Sequence, residues 1–131
     1  MAQSERYAFH VPPDLGPGDV ERGLQSLGLV RKARARTLRT VFYDTFDWRL
    51  HRSGSCIGEV RGRGGSPRIV WRGRHDPAPL GQIDGPITVF ARDLPPGALR
   101  DRLESILEMR ALARLVVLRS RLHPFELLNG D

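Results

Sequence analysis

The sequence predicts an α+β fold, in which a strongly curved antiparallel sheet of about five to seven strands carries two main helices. Short runs rich in β-branched and aromatic residues recur along the chain and are separated by Gly, Pro and Asp, which is typical of strands and turns. Two other segments repeat apolar residues at helical spacing. The length of 131 residues is enough for one hydrophobic core. We therefore expect residues 1–131 to form a single domain.

The beginning of the chain predicts a strand followed by a helix. Apolar and polar residues alternate over residues 6–11, and Pro12-Pro13 ends this run. Asp19 is suited to cap a helix whose apolar positions recur at i, i+4 and i+7, and Gly28 closes it. The basic run over residues 31–36 follows. It fits a solvated edge, a phosphate-facing strand or a patch for nucleic acid.

The next stretch predicts a strand that runs into one helical turn. Thr40–Tyr43 is β-branched and aromatic and stops at Asp44-Thr45. Thr45 or Asp47 is then suited to cap a short turn of helix, which Gly54 ends.

A β-hairpin is predicted directly after this turn. Strand candidates at 55–63 and 67–72 are joined by Gly64-Gly65-Ser66, where both glycines tolerate positive φ. Alternation along the two strands predicts one guanidinium-rich face and one apolar face. The guanidinium-rich face would carry Arg61, Arg63, Arg68 and Arg72, and the apolar face Ile69 and Trp71.

The second half of the chain predicts a loop, a strand, a helix and two more strands. The loop covers residues 73–81, and a strand follows from Gln82 and continues through Ile87, Val89 and Ala91. The main helix is indicated by one apolar stripe, made by Leu99, Leu103, Ile106 and Leu107. Strands are then predicted at residues 115–122 and 125–128, the latter before the hairpin signal Asn129-Gly130.

The composition permits the binding of a polyanion and argues against an internal disulfide and a membrane segment. The formal net charge is +6, and Lys32 is the single lysine among 21 basic residues. Guanidinium groups meet phosphate oxygens in a bidentate way that an ammonium cannot reproduce. One cysteine, Cys56, rules out an internal disulfide and suits a cytoplasmic location. We expect no membrane segment, because the sequence has no long apolar run and no hydrophobic leader.

The order of several motifs resembles that of a known family. Tyr43-Asp44-Thr45 is followed by Leu50, by Gly54, by a strand with alternating arginines and by a strand ending in a base. This series resembles the CYTH family, also called triphosphate tunnel enzymes, and in particular the CYTH domains joined to CHAD domains. The resemblance covers nearly the whole chain but only the front portion of the family's domain. It implies a CYTH-like barrel or partial barrel that lacks the family's last strands.

The resemblance also implies a phosphate site and a metal site. Arginines inside the tunnel would hold the phosphates, and carboxylates on facing strands would hold Mg²⁺ or Mn²⁺. The phosphate-binding candidates are Arg39, Arg61, Arg63, Arg72, Arg119 and Arg121. The family's E-x-E-x-K positions hold Ser4, Arg6 and Ala8, which leaves Asp84 and Glu59 as the metal candidates. No catalytic residue is identified.

These observations predict a CYTH-like domain that binds triphosphate, inorganic polyphosphate or a nucleotide through converging arginines, with weak or no hydrolysis. One alternative is an active, metal-dependent triphosphatase that is completed by another segment or a second copy. Another is a basic module that binds nucleic acid, supported by charge alone. The missing strands would leave a sheet edge exposed, so we also expect a homodimer formed through that edge.

Overall fold

The computed structural model describes Tyr7, residues 9–76 and residues 78–128. The fold is α+β, as the sequence predicts. The elements in chain order are α1 (Pro17–Gln25), β1 (Leu29–Lys32), β2 (Arg36–Asp44), α2 (Arg49–Arg52), β3 (Ser55–Gly62), β4 (Arg68–Gly73), β5 (Pro79–Asp84), a 3₁₀ turn (Ala91–Asp93), α3 (Ala98–Leu107), β6 (Ala113–Leu122) and β7 (Phe125–Leu128).

Five strands form one antiparallel sheet in the order β5-β4-β3-β2-β6, and β1 and β7 form a separate two-stranded sheet. Over the described residues the large sheet does not close into a barrel, because β5 and β6 are its two edges. The small sheet prolongs the β2–β6 ladder beyond a short break, where Ala33 N donates to Pro124 O at 3.1 Å. Helix α1 packs against β1 and β7.

The hydrophobic core lies on one face of the large sheet, which we call the core face. It carries Ile57, Ile69 and Trp71, and all three are buried under α3 and the turn that precedes it. Gly81 brings α3 close to the sheet, because a Cβ at this position would stand 2.9 Å from Leu99 Cδ1. The apolar stripe predicted for α3 is confirmed, and burying each of its leucines stabilises the fold by about 1.5 to 3 kcal/mol.

The turn between β2 and β3 is held by Asp44, which is buried. Its carboxylate accepts hydrogen bonds from Thr45 N at 2.8 Å, Leu50 N at 2.9 Å and His51 N at 3.0 Å. Thr45 Oγ1 accepts one more from Arg49 N at 3.0 Å, although Trp48, and not Thr45 or Asp47 as predicted, occupies the N-cap position of α2. These bonds provide acceptors for the backbone N–H groups at the start of α2, which have no partner within the helix.

Three predicted elements differ in the structure. Tyr7 and residues 9–11 form no strand, while Arg6 and Ala8 lie outside the described residues. Helix α1 begins earlier than Asp19, because Pro17 occupies its first position and Gly16 precedes it as the cap. The carboxylate of Asp19 accepts from Gly16 N at 2.8 Å instead of capping the helix from outside.

The strand predicted through Ile87, Val89 and Ala91 is also wrong. Residues 86–88 have no regular secondary structure, and Ala91 begins the 3₁₀ turn. The backbone groups of this segment bond elsewhere, since Ile87 N donates to Glu59 Oε2 at 2.8 Å and Val89 O accepts from Leu112 N at 2.7 Å. The predicted strand at 125–128 is confirmed as β7, and Asn129-Gly130 lies outside the described residues.

Candidate arginine site

The register of the β3–β4 hairpin decides which arginines share a face. Glu59 pairs with Ile69 and Val60 pairs with Arg68, so Arg61 points to the core face. The predicted guanidinium-rich hairpin face is therefore wrong: Arg61 and Arg68 lie on opposite faces. A shift of one residue in register moves every side chain to the other face. The turn sets this register, because Gly65 N donates to Gly62 O and Gly64 has a φ of +71°.

Three arginines lie side by side across neighbouring strands. Arg39 of β2 pairs directly with Arg61 of β3 on one side and with Arg119 of β6 on the other. We call this set the arginine row. Residues directly opposite in an antiparallel pair have Cα atoms roughly 4.5 to 5.5 Å apart, and like charges there are destabilising. None of the three side chains forms an ion pair with another described residue.

Beyond the row, one end of the sheet forms a cavity of about 1050 Å³. Five arginines and a single carboxylate contribute to its wall, and we call it the arginine cavity. Its lining residues are Arg34, Ala35, Arg36, Thr37, Leu38, Val60, Gly62, Arg63, Ser66, Arg68, Asp84 and Arg121.

The antiparallel topology explains why these residues meet. At this end of the sheet β2 and β4 begin, while β3 and β5 end, so four short segments of chain converge. Arg36 and Arg68 open their strands, and Arg34 and Arg63 lie in the adjoining connections. Arg121 reaches the same end from the edge strand β6.

The side chains of the row lie on the core face, whereas Arg68 and Asp84 of the cavity lie on the other face, so the row is not part of the cavity wall. Thr37 lies two residues before Arg39 on the same strand and pairs with Arg121, and both Thr37 and Arg121 line the cavity. Within the described part of the chain, no carboxylate lies within ion-pair distance of any of the five cavity arginines. Asp84 pairs in register with Arg68 but does not form a salt bridge with it. The result is a concave surface with a large excess of positive charge.

Asp47 and Arg49 are charged residues that neutralise each other. Asp47 Oδ2 lies 3.0 Å from Arg49 Nε, next to α2 at the other end of the sheet. The pKa of Asp47 is lowered, first by the neighbouring Thr45 hydroxyl and also by Arg49, while burial acts in the opposite direction. The same contact with Asp47 raises the pKa of Arg49. This pair stabilises the turn and offers no free charge to a ligand.

The predicted phosphate-binding residues therefore fall into three places. Arg39, Arg61 and Arg119 form the row, while Arg63 and Arg121 line the cavity. Arg72 is separate from both groups, because it pairs with Cys56 and Pro79 on the face opposite the core.

Sequence reasoning missed Arg34, Arg36 and Arg68 as members of one site. The available signal was the basic run at 31–36, for which a phosphate-facing strand was one of three interpretations. Only the pairing of β2 with β3 and β6 shows that this run ends beside Arg63 and Arg121. Arg68 was predicted to lie on a strand, but the sequence does not show the β3–β4 register that decides which face of the sheet it occupies.

The two metal candidates do not come together. Glu59 lies on the core face, where its carboxylate accepts the hydrogen bond from Ile87 N, and Asp84 lies in the arginine cavity on the other face. Across residues 9–76 and 78–128, no group of three or more His, Cys, Asp or Glu side chains is arranged to hold a metal ion. These residues do not fit a Mg²⁺ or Mn²⁺ site, which needs several oxygen ligands around one point.

The chain matches no protein-family model, no curated protein and no solved structure. No described helix is both long enough and apolar enough to cross a membrane.

Proposed function

We propose that this domain binds triphosphate or inorganic polyphosphate in the arginine cavity and does not hydrolyse it efficiently. One observation carries the proposal: guanidinium groups from β2, β4, β6 and two connections line a single concavity, and none has a carboxylate partner among the described residues. Clustered like charges are unfavourable unless an anion neutralises them, and each one facing a phosphate oxygen gains a charge-assisted hydrogen bond.

The shape of the site favours an extended polyanion over a single small anion. The cavity has about the volume of a small-molecule site, and its five arginines come from three strands and two connections rather than from one point. Adjacent strands are about 4.8 Å apart, so the cavity arginines of β4, β2 and β6 offer positive groups over roughly 14 Å. A linear chain of phosphates carries negative charge along its whole length and is able to contact several of these groups at once.

We also propose that the domain is a CYTH-like partial barrel. Support comes from the Tyr43-Asp44-Thr45 motif, whose Asp44 and Thr45 organise the turn into α2, and from the arginine-bearing strands β3 and β6 beside it. We expect weak hydrolysis because the two candidate metal ligands, Asp84 and Glu59, lie on opposite faces of the sheet. A divalent ion needs several ligands that surround it.

Isothermal titration calorimetry with sodium tripolyphosphate, without a divalent metal, tests the proposal. Arg36→Ala and Arg68→Ala each remove one guanidinium from the cavity wall and orphan no carboxylate. Since a hydrogen bond to a charged group contributes about 1.5 to 3 kcal/mol, each variant should raise the Kd by roughly 10-fold or more. Arg52→Ala is the matched control, because it removes the same charge from α2, outside the cavity.

The outcomes separate the candidate functions. Equal affinities in Arg68→Ala and Arg52→Ala would show that only net charge matters and would overturn the proposed site. Release of phosphate from tripolyphosphate with Mg²⁺ or Mn²⁺ would favour the triphosphatase alternative. Tighter binding of DNA or RNA than of polyphosphate at equal salt would favour the nucleic-acid alternative, since both ligands share the electrostatic contribution.

A further inference from the structure

The edge strand β6 presents a second surface that the arginine site does not use. Among the described elements β6 contacts only β2, although it is the longest strand of the sheet. Its four central residues are apolar and remain exposed: Leu115 by 46%, Val116 by 53%, Val117 by 39% and Leu118 by 51%. Successive side chains point to opposite faces, so both faces of this strand are partly exposed, and no described strand pairs with its outer edge.

The opposite edge of the sheet is protected in the usual ways. Strand β5 begins with Pro79, contains Gly81, and ends at Asp84 before Gly85-Pro86. Proline removes a backbone donor, and charges or short strands on an edge discourage further pairing. Strand β6 contains neither proline nor glycine, and its arginines lie outside the apolar segment. A long apolar edge of this kind is suited to pair with another strand.

We propose that β6 pairs with β6 of a second copy of this chain, antiparallel about a two-fold axis at Val117. In an antiparallel pair, two residues that face each other point to the same side of the sheet, and side chains alternate along each strand. The two-fold axis must therefore pass through a residue and not between two residues. With the axis at Val117, Ala113–Arg121 of one copy pairs with Ala113–Arg121 of the other. No other register gives a longer paired segment.

This register is also complementary in chemistry. Val117 faces itself, and Val116 faces Leu118 of the other copy, so apolar side chains meet in the centre. Arg119 faces Leu115 and Arg121 faces Ala113, which means that no arginine stands opposite another arginine. The second copy thus fits this edge without placing arginines opposite each other, and it sets apolar side chains beside the exposed run on both faces. The two five-stranded sheets would then form one continuous ten-stranded sheet across the dimer.

The charge of residue 117 gives a specific test, because this position meets its own copy. Sedimentation velocity on the whole 131-residue chain should show a dimer, about twice the 14.7 kDa of one chain. Val117→Lys and Val117→Glu should each be monomeric, since like charges then face each other across the axis. An equimolar mixture of the two variants should restore a dimer containing one chain of each kind.

Crosslinking gives a second readout that does not depend on charge. In a Cys56→Ser, Val117→Cys variant the two thiols lie at facing positions, so mild oxidation or a short bismaleimide should give covalent dimers. Cys56→Ser, Leu80→Cys, on the protected edge strand β5, is the matched control and should stay monomeric. A wild-type chain that is monomeric at hundreds of micromolar overturns the proposal. So do equal crosslinking at 117 and 80, and dimers in both charge variants alone.

Discussion

Replacing the central arginine of the row should make the protein more stable. Arg39 is half-buried and stands directly between Arg61 and Arg119, and none of the three has a carboxylate partner within the described chain. Arg39→Gln keeps most of the side-chain stem and removes the charge. It therefore abolishes two like-charge contacts and leaves no opposite charge unpaired.

The expected gain follows from the pairing distances. Two unit charges about 5 Å apart in water repel by about 0.8 kcal/mol, and salt at physiological strength roughly halves this. The exposed side chains of Arg61 and Arg119 are able to turn away, so each contact costs roughly 0.2 to 1 kcal/mol. Removing both contacts should raise the free energy of unfolding by about 0.5 to 2 kcal/mol. For a domain of this size that corresponds to a Tm higher by roughly 2 to 8 °C.

Thermal unfolding followed by circular dichroism measures this shift. The difference between Arg39→Gln and the wild type should be largest at low salt and should vanish near 1 M NaCl, where the Debye length is about 3 Å. Tripolyphosphate should raise the Tm of the wild type and of the variant alike, because ligand binding stabilises the native state and Arg39 does not line the cavity. Arg52→Gln, from α2, should change the Tm little.

A lower Tm in Arg39→Gln at low salt would refute this reasoning. It would mean that Arg39 contributes packing or an unseen favourable contact that outweighs the repulsion in the row.

Three further predictions concern the framework that holds the site. Leu103→Ala should lower the free energy of unfolding in urea by about 2 to 5 kcal/mol, because Leu103 is fully buried under the sheet, whereas Leu27→Ala at an exposed position should have little effect. Asp44→Ala should cost about 2 to 3 kcal/mol in the same assay, since three backbone N–H groups lose their acceptor, and Asp44→Asn should cost less. The lowered pKa of Asp47 means that its charged form stabilises the native state above pH of about 4 and that this contribution is lost on further acidification. Urea titrations from pH 6 to pH 2 should therefore show a shallower acid loss in Asp47→Asn than in the wild type, and identical slopes would contradict the assignment.

The elements that local sequence patterns specify strongly were the ones predicted well. The β2–α2–β3–β4 segment and α3 have clear turn residues and one-sided apolar periodicity, and their bounds lie within a few residues of the prediction. The segment 86–91 was misjudged because alternating Ile87 and Val89 fit a strand in isolation. A strand, however, needs a neighbour to pair with, and here Glu59 and Leu112 take the backbone bonds instead.

The site was predicted only in part, because it depends on register rather than on any one strand. The alternation within β3 and within β4 was correct, but a turn centred on Gly64 places Arg61 and Arg68 on opposite faces. The same register aligns Arg61 with Arg39, and the β2–β6 pairing adds Arg119, which no local pattern could show. Long-range pairing thus split the predicted arginines between the row, the cavity and the separate position of Arg72.

Arginine side-chain NMR tests most directly whether guanidinium groups from separate strands hold one anion. In ¹H–¹⁵N spectra of the Nε–Hε groups, assigned with single Arg→Gln variants, tripolyphosphate should shift the signals of Arg34, Arg36, Arg63, Arg68 and Arg121 with a common, saturating midpoint. The signals of Arg52 and Arg92, which lie outside the cavity, should stay in place. Weak, unsaturated shifts spread equally over all the arginines would contradict a shared binding site.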